Sequence, residues 1–71
     1  MSKEISVKIA KRLRKLRKRK SYTQEKLAEL SGVDYKHIQL LESKYPPAMR
    51  VDTLEKLAKA LKISPSELLD F

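Results

Sequence analysis

The side chains able to do chemistry in this 71-residue chain are overwhelmingly cations. Ten Lys and Arg fall within residues 1–20 against a single acid, Glu4, a local net charge of +9. Residues 21–71 hold seven basic and eight acidic residues, a net of −1, so the excess of +8 is concentrated at one end. Such a block attracts a polyanion or an anionic surface, although it can equally serve as a solvated helix face. Bond-making chemistry is the weakest reading, and no catalytic residue is assigned. His37 stands alone with no evident orienting partner, and neither a Ser-His-Asp set nor a glycine-rich phosphate loop is present. The chain has no cysteine, which excludes disulfides and thiolate metal sites and fits a reducing compartment. One histidine is too few for a metal cluster, so neither metal nor cofactor is expected.

The elements that must position these cations are short helices within a single domain, residues 1–71, whose small core calls for efficient packing or dimerisation. Periodicity predicts five helices and no strands. The first, from about Ser2 to Lys18, carries Ile5, Ile9, Leu13 and Leu16 as one apolar stripe, with Lys and Arg on the opposite face. The second opens at Thr23 as N-cap, with Tyr22 and Leu27 as a hydrophobic staple and Leu27, Ala28 and Leu30 as the buried side. Gly32, the only glycine, falls where that helix must stop. The third starts at the N-cap Asp34, turns Ile38, Leu41 and Tyr45 inward, and ends at Pro46-Pro47. Tyr35, Lys36, His37, Leu40, Ser43 and Lys44 are left facing outward. The fourth has Asp52 and Glu55 as a capping-box pair and Leu54, Leu57, Ala58 and Leu61 as its apolar face. The fifth opens on Ser64-Pro65-Ser66-Glu67, an N-cap, a proline at the first helical position and a reciprocal acid, with Ile63 and Leu68 as staple.

The block from Gln24 to Glu42 is the informative one. Two helices joined by a tight glycine turn make a helix-turn-helix, here about 23–44. Ala28 is small where the helix axes approach, Val33 fills the corner, and Ile38 and Leu41 seat the second helix on the core. Its outward face is then free to enter a groove about 12 Å wide that accepts one helix.

On these residues the chain resembles the Cro and phage-repressor (XRE-type) helix-turn-helix regulators. The matching stretches are Leu13-Arg14-Lys15-Leu16-Arg17, Thr23-Gln24-Glu25-Lys26-Leu27-Ala28, Gly32-Val33, Ile38, Leu41-Glu42, Thr53 to Leu61, and Glu67-Leu68-Leu69. The resemblance implies an all-α, compact five-helix bundle of the lambda-repressor-like DNA-binding type. It further implies a sequence-specific regulator of transcription, a repressor that binds pseudo-palindromic double-stranded DNA as a homodimer. It places Tyr35, Lys36, His37 and Leu40 at base edges and Thr23 and Gln24 on a phosphate. It pairs Arg17 with Glu42, pinning the first helix to the recognition helix. The basic face of the first helix either supplies phosphate contacts and long-range attraction through Lys11, Arg14, Lys18 and Lys20 or only solubilises the domain, and Lys44 and Arg50 from the loop past the third helix are further phosphate contacts. Leu68, Leu69 and Phe71 are a candidate dimer contact, or alternatively finish the core. Lys44 and Lys62 stand where relatives carry glycine, so either the backbone stays left-handed there at ~1–2 kcal/mol each or the turns differ.

Other readings stay open at this point. An antitoxin would bind a protein toxin and repress its own operon, and a restriction-modification controller has the same fold. A membrane-active or calmodulin-binding basic helix would use residues 5–20, though the capped helices after it argue for a folded domain. RNA binding would want aromatic stacking platforms, which are lacking. No apolar run approaches a membrane span and the Met-Ser-Lys-Glu start has no apolar stretch, so a cytoplasmic protein without a membrane partner is expected.

Overall fold

The computed structural model describes residues 3–71, with side chains from Glu4 onward. Five helices follow one another: α1 (Lys3–Arg19), α2 (Gln24–Ser31), α3 (Tyr35–Leu41), α4 (Val51–Ala60) and α5 (Pro65–Leu68). The expected start of the first helix at Ser2 lies outside the described residues. Helix α2 packs against both α3 and α4, α4 against α5, and α5 returns to α1. The whole measures 28 × 24 × 21 Å.

Apolar periodicity builds this arrangement. Leu13 of α1, Leu27 of α2, Ile38 and Leu41 of α3, Leu57 and Leu61 around α4, and Leu68 of α5 are fully buried and meet in one core. Each such side chain contributes about 1.5–3 kcal/mol of apolar burial. The buried stripe of α1 is broader than its leucines alone, because Ser6, Ala10 and Arg17 are also buried. Ile5, expected in that stripe, stands on its rim and is exposed.

Local signals fix the helix ends. The Thr23 hydroxyl accepts the Lys26 N–H at 3.0 Å, and the Asp34 carboxylate accepts the Lys36 N–H at 3.1 Å. Gly32 takes φ +76° and donates its N–H to the Ala28 carbonyl at 2.9 Å. That left-handed conformation suits glycine and turns the chain directly into α3. Ser64 and Glu67 form the reciprocal capping box, with Pro65 opening α5.

Several expectations are corrected. Helix α4 begins at Val51 behind Arg50, which has no side-chain cap bond, so Asp52 and Glu55 do not form a capping box. Asp52 lies instead in the first turn, where its carboxylate favours the helix dipole, accepts the Thr53 N–H at 3.0 Å and meets Arg50 at 3.2 Å. Helix α3 ends at Leu41, ahead of the prolines. Ser43 closes its last turn, giving both its N–H and its hydroxyl to the Leu40 carbonyl. Because the helix has already ended, Tyr45 is not carried inward and is 81% exposed. Met49 takes an inner place instead, buried from the loop side. Leu30, expected on the buried side of α2, points to solvent.

The two lysines at glycine-like positions resolve differently. Lys62 has φ +59° and Lys44 does not take a positive φ. Ser21, closing α1, also has φ +59°. A non-glycine residue there costs ~1–2 kcal/mol, part of which glycine returns through its freer unfolded chain. Lys62→Gly is therefore expected to stabilise the domain by about 0.5–1 kcal/mol, read as a higher melting temperature. A lower melting temperature would show the left-handed turn to be unstrained.

Candidate nucleic-acid interface

The recognition surface begins with what is withheld from it. Ile38 and Leu41 face the core, so α3 must present the rest of its circumference outward. Lys36 and Leu40 are exposed on that side, Tyr35 is exposed at its start, and His37 is half-buried on its flank. The Asp34 cap bonds the Lys36 backbone, which leaves the Lys36 ammonium free to reach outward. One outward residue escaped the sequence reading: Gln39 is exposed, and its amide donates to the Tyr35 hydroxyl at 3.1 Å. The i to i+4 spacing of residues 35 and 39 was the signal that could have found it. The pair holds a phenol and a carboxamide together beside Lys36, and a carboxamide can read adenine N6 and N7 as a lysine can read guanine O6 and N7.

The expected Arg17–Glu42 pair forms, with both side chains largely buried. Arg17 Nε donates to Glu42 Oε2 at 2.8 Å and Nη2 to Oε1 at 2.9 Å, a two-point contact. Nη1 donates to the Tyr22 carbonyl at 2.6 Å. The side chains are only 10% and 2% exposed. One guanidinium thereby joins the last turn of α1, the entry to α2 and the end of α3. The Gln24 amide adds a donor to Glu42 Oε1 at 3.3 Å. Gln24 thus lies beside both the ion pair and the start of α2, while Thr23 is exposed next to it.

The remaining cations surround this unit. Lys20 is exposed just past α1. Lys44 is exposed past α3 with its ammonium 5.7 Å from the Tyr45 ring centre. Arg50 is held by Asp52 across an exposed pair, which is worth ~0–1 kcal/mol and yields easily to another anion. Arg12 departs from the solvated cationic face expected of α1: its Nε and Nη2 donate to the Glu67 carbonyl at 3.1 and 3.0 Å, fastening α5 to α1. Of the three apolar residues near the C-terminus, Leu68 is fully buried and finishes the core. The candidate dimer surface is accordingly reduced to Leu69 and Phe71, 40% and 53% exposed. Among the described residues no group of acids and histidines is placed to hold a metal, and no helix is long and apolar enough to cross a membrane.

Comparison with known proteins agrees with this geometry. A family model described as the Cro/C1-type HTH DNA-binding domain matches residues 12–71. Among solved structures, the restriction-modification controller protein C.AhdI from Aeromonas hydrophila is similar, with 41% sequence identity and a TM-score of 0.83. The likeness covers 89% of this chain and 94% of that one. No curated protein matches the sequence significantly. The matched family is one of DNA-binding regulators and not a class of enzymes. With five helices in the expected order, a glycine turn ahead of α3 and a family match across residues 12–71, the chain belongs to the Cro/C1-type helix-turn-helix DNA-binding family and is a DNA-binding transcriptional regulator.

Proposed function

We propose that the domain acts as a repressor by occupying a pseudo-palindromic operator as a homodimer, with α3 of each subunit in the major groove. The observation that carries this reading is the outward face of α3, where Lys36, Gln39 and Leu40 stand exposed on a helix anchored from behind by the buried Arg17–Glu42 pair. Tyr35, Lys36, His37 and Leu40 read base edges, and Gln39 joins them. Thr23, Gln24, Lys20, Lys44 and Arg50 position the subunit on phosphates, which fix register without reading sequence. Leu69 and Phe71 supply an apolar contact between subunits. The likeness to a restriction-modification controller supports control of a restriction-modification operon and favours a free-standing regulator over an antitoxin.

A two-fold dimer would set its recognition helices about one DNA turn apart, ~34–36 Å. Selection of binding sites from random duplex DNA is therefore expected to return two inverted half-sites at that spacing. Sedimentation of the complex is expected to give two chains per operator. A single asymmetric site carrying one chain would sink the dimer reading. A reporter driven from the selected site is expected to fall on expression of the protein, and a rise would replace repression by activation.

A further inference from the structure

We propose that the cleft between α1 and the segment following α3 is a second DNA-binding track, which seats the phosphodiester strand flanking each half-site. This rests on the operator-binding reading above and extends it to DNA outside the sequence that α3 reads. The cleft has a volume of about 610 Å³ and an apolar floor from Val7 and Ala10. Lys11 and Arg14 line one wall, and Lys44 and Tyr45 line the other. Glu42 also borders it, but its carboxylate is committed to Arg17 at 2.8 and 2.9 Å and so offers little repulsion.

Three features point to a phosphate strand as the occupant. Lys11, Arg14 and Lys44 have no ion pair with any acid among the described residues, whereas Arg17, Lys26 and Arg50 do. Three uncompensated cations facing one cleft repel one another and are stabilised by a polyanion. The cleft is also continuous with the proposed interface, because its second wall is the chain that leaves the C-terminal end of α3. A helix lying in the major groove is flanked by phosphate strands, and the groove's width of about 12 Å is roughly the length of an eight-residue helical run. Lys36 lies in the first turn of α3 and Lys44 three residues past its end at Leu41, so a base contact at one end of this segment carries the other toward the strand. Lastly, the track gives a role to Tyr45, which the early end of α3 leaves 81% exposed with Lys44 over its ring. Its phenol can donate to a phosphate oxygen while the ring holds the ammonium nearby.

The test uses the full chain and its selected operator in two lengths, one ending at the half-sites and one with about ten further base pairs, one helical turn, on each side. Wild-type protein is expected to bind the longer duplex more tightly and with a steeper salt dependence. The double variant Lys11→Ala/Arg14→Ala is expected to lose that difference: its salt slope on the long duplex falls by about two per subunit, while its binding to the short duplex changes little. Tyr45→Phe is expected to weaken binding to the long duplex alone. Neutral methylphosphonates in the flank should reproduce the double variant's loss with wild-type protein. Equal losses on both duplexes would reduce these cations to long-range attraction and overturn the track, as would no loss on either. Amide resonances of residues 11, 14 and 45 should shift with the long duplex and not with a free deoxynucleotide monophosphate; shifts with the mononucleotide alone would assign the cleft to a small anion. A wild-type chain that binds no duplex would instead refute the operator reading itself.

Discussion

Arg17→Ala is expected to destabilise the domain by about 3–5 kcal/mol, the cost of leaving a buried charge without its partner. The guanidinium makes two bonds to Glu42 and one to the Tyr22 carbonyl, and after its removal the Gln24 amide is the remaining donor to a carboxylate only 2% exposed. A domain of this size has ~4–10 kcal/mol of total stability, so the loss takes much of it. At ~4–8 °C per kcal/mol the melting temperature should fall by about 12–40 °C. A double variant, Arg17→Met with Glu42→Gln, should recover a substantial part, because it strands no charge. Thermal melts of the three proteins check this. A loss within ~1 kcal/mol, the value of an exposed pair, would contradict the burial. Stability left intact with an altered operator preference would move Arg17 from scaffold to reader.

Operator affinity is expected to drop ~10³–10⁵-fold between 50 and 200 mM salt if six to ten phosphates are neutralised per dimer. The sequence makes so steep a dependence plausible chemically, since seventeen Lys and Arg face nine acids and the excess is confined to residues 1–20. The structure qualifies that count. Arg17 is consumed by Glu42 and Arg12 by the Glu67 carbonyl, so neither is free for DNA. Lys20, Lys44 and Arg50 remain exposed at the edges of the recognition surface. Binding titrations across the salt range give the slope directly. A flat response would mean that the basic helix serves something other than a nucleic acid.

The parts of the fold legible in the sequence are those decided by neighbouring residues. Thr23, Asp34 and Ser64 cap the helices they precede because a short oxygen side chain there reaches a backbone N–H two or three residues on. Gly32 marks the turn for an equally local reason. The failures sit where the chain's path depends on tertiary packing. Periodicity carried α3 on to Tyr45, but the helix stops at Leu41 and the loop brings Met49 to the core in place of Tyr45. Asp52 and Glu55 had the spacing of a capping box, yet the helix begins two residues earlier than that box requires and puts Asp52 in its first turn. Arg17 and Glu42 lie 25 residues apart, and only the resemblance to phage repressors paired them. Leu68, Leu69 and Phe71 read as one apolar cluster, but α5 turns Leu68 fully inward and leaves the other two outside. On α3, the face was legible and one of its members was not: Gln39 was passed over although it shares a side with Tyr35.

The central claim is that α3 reads bases while the chain beyond it only positions the backbone, and two lysines on that one segment test it. Lys36 lies in the first turn of α3 and Lys44 past its end, and both are exposed. The measurement is the affinity of Lys36→Ala and Lys44→Ala for the selected operator and for each of its single-base variants. Lys36→Ala is predicted to cost about 1–3 kcal/mol on the preferred site and to relax preference at one base pair in each half-site. Lys44→Ala is predicted to weaken every sequence alike and to lower the salt slope by about one per subunit. Equal, sequence-blind losses from Lys36→Ala would contradict base readout by this residue and return it to the phosphate contacts.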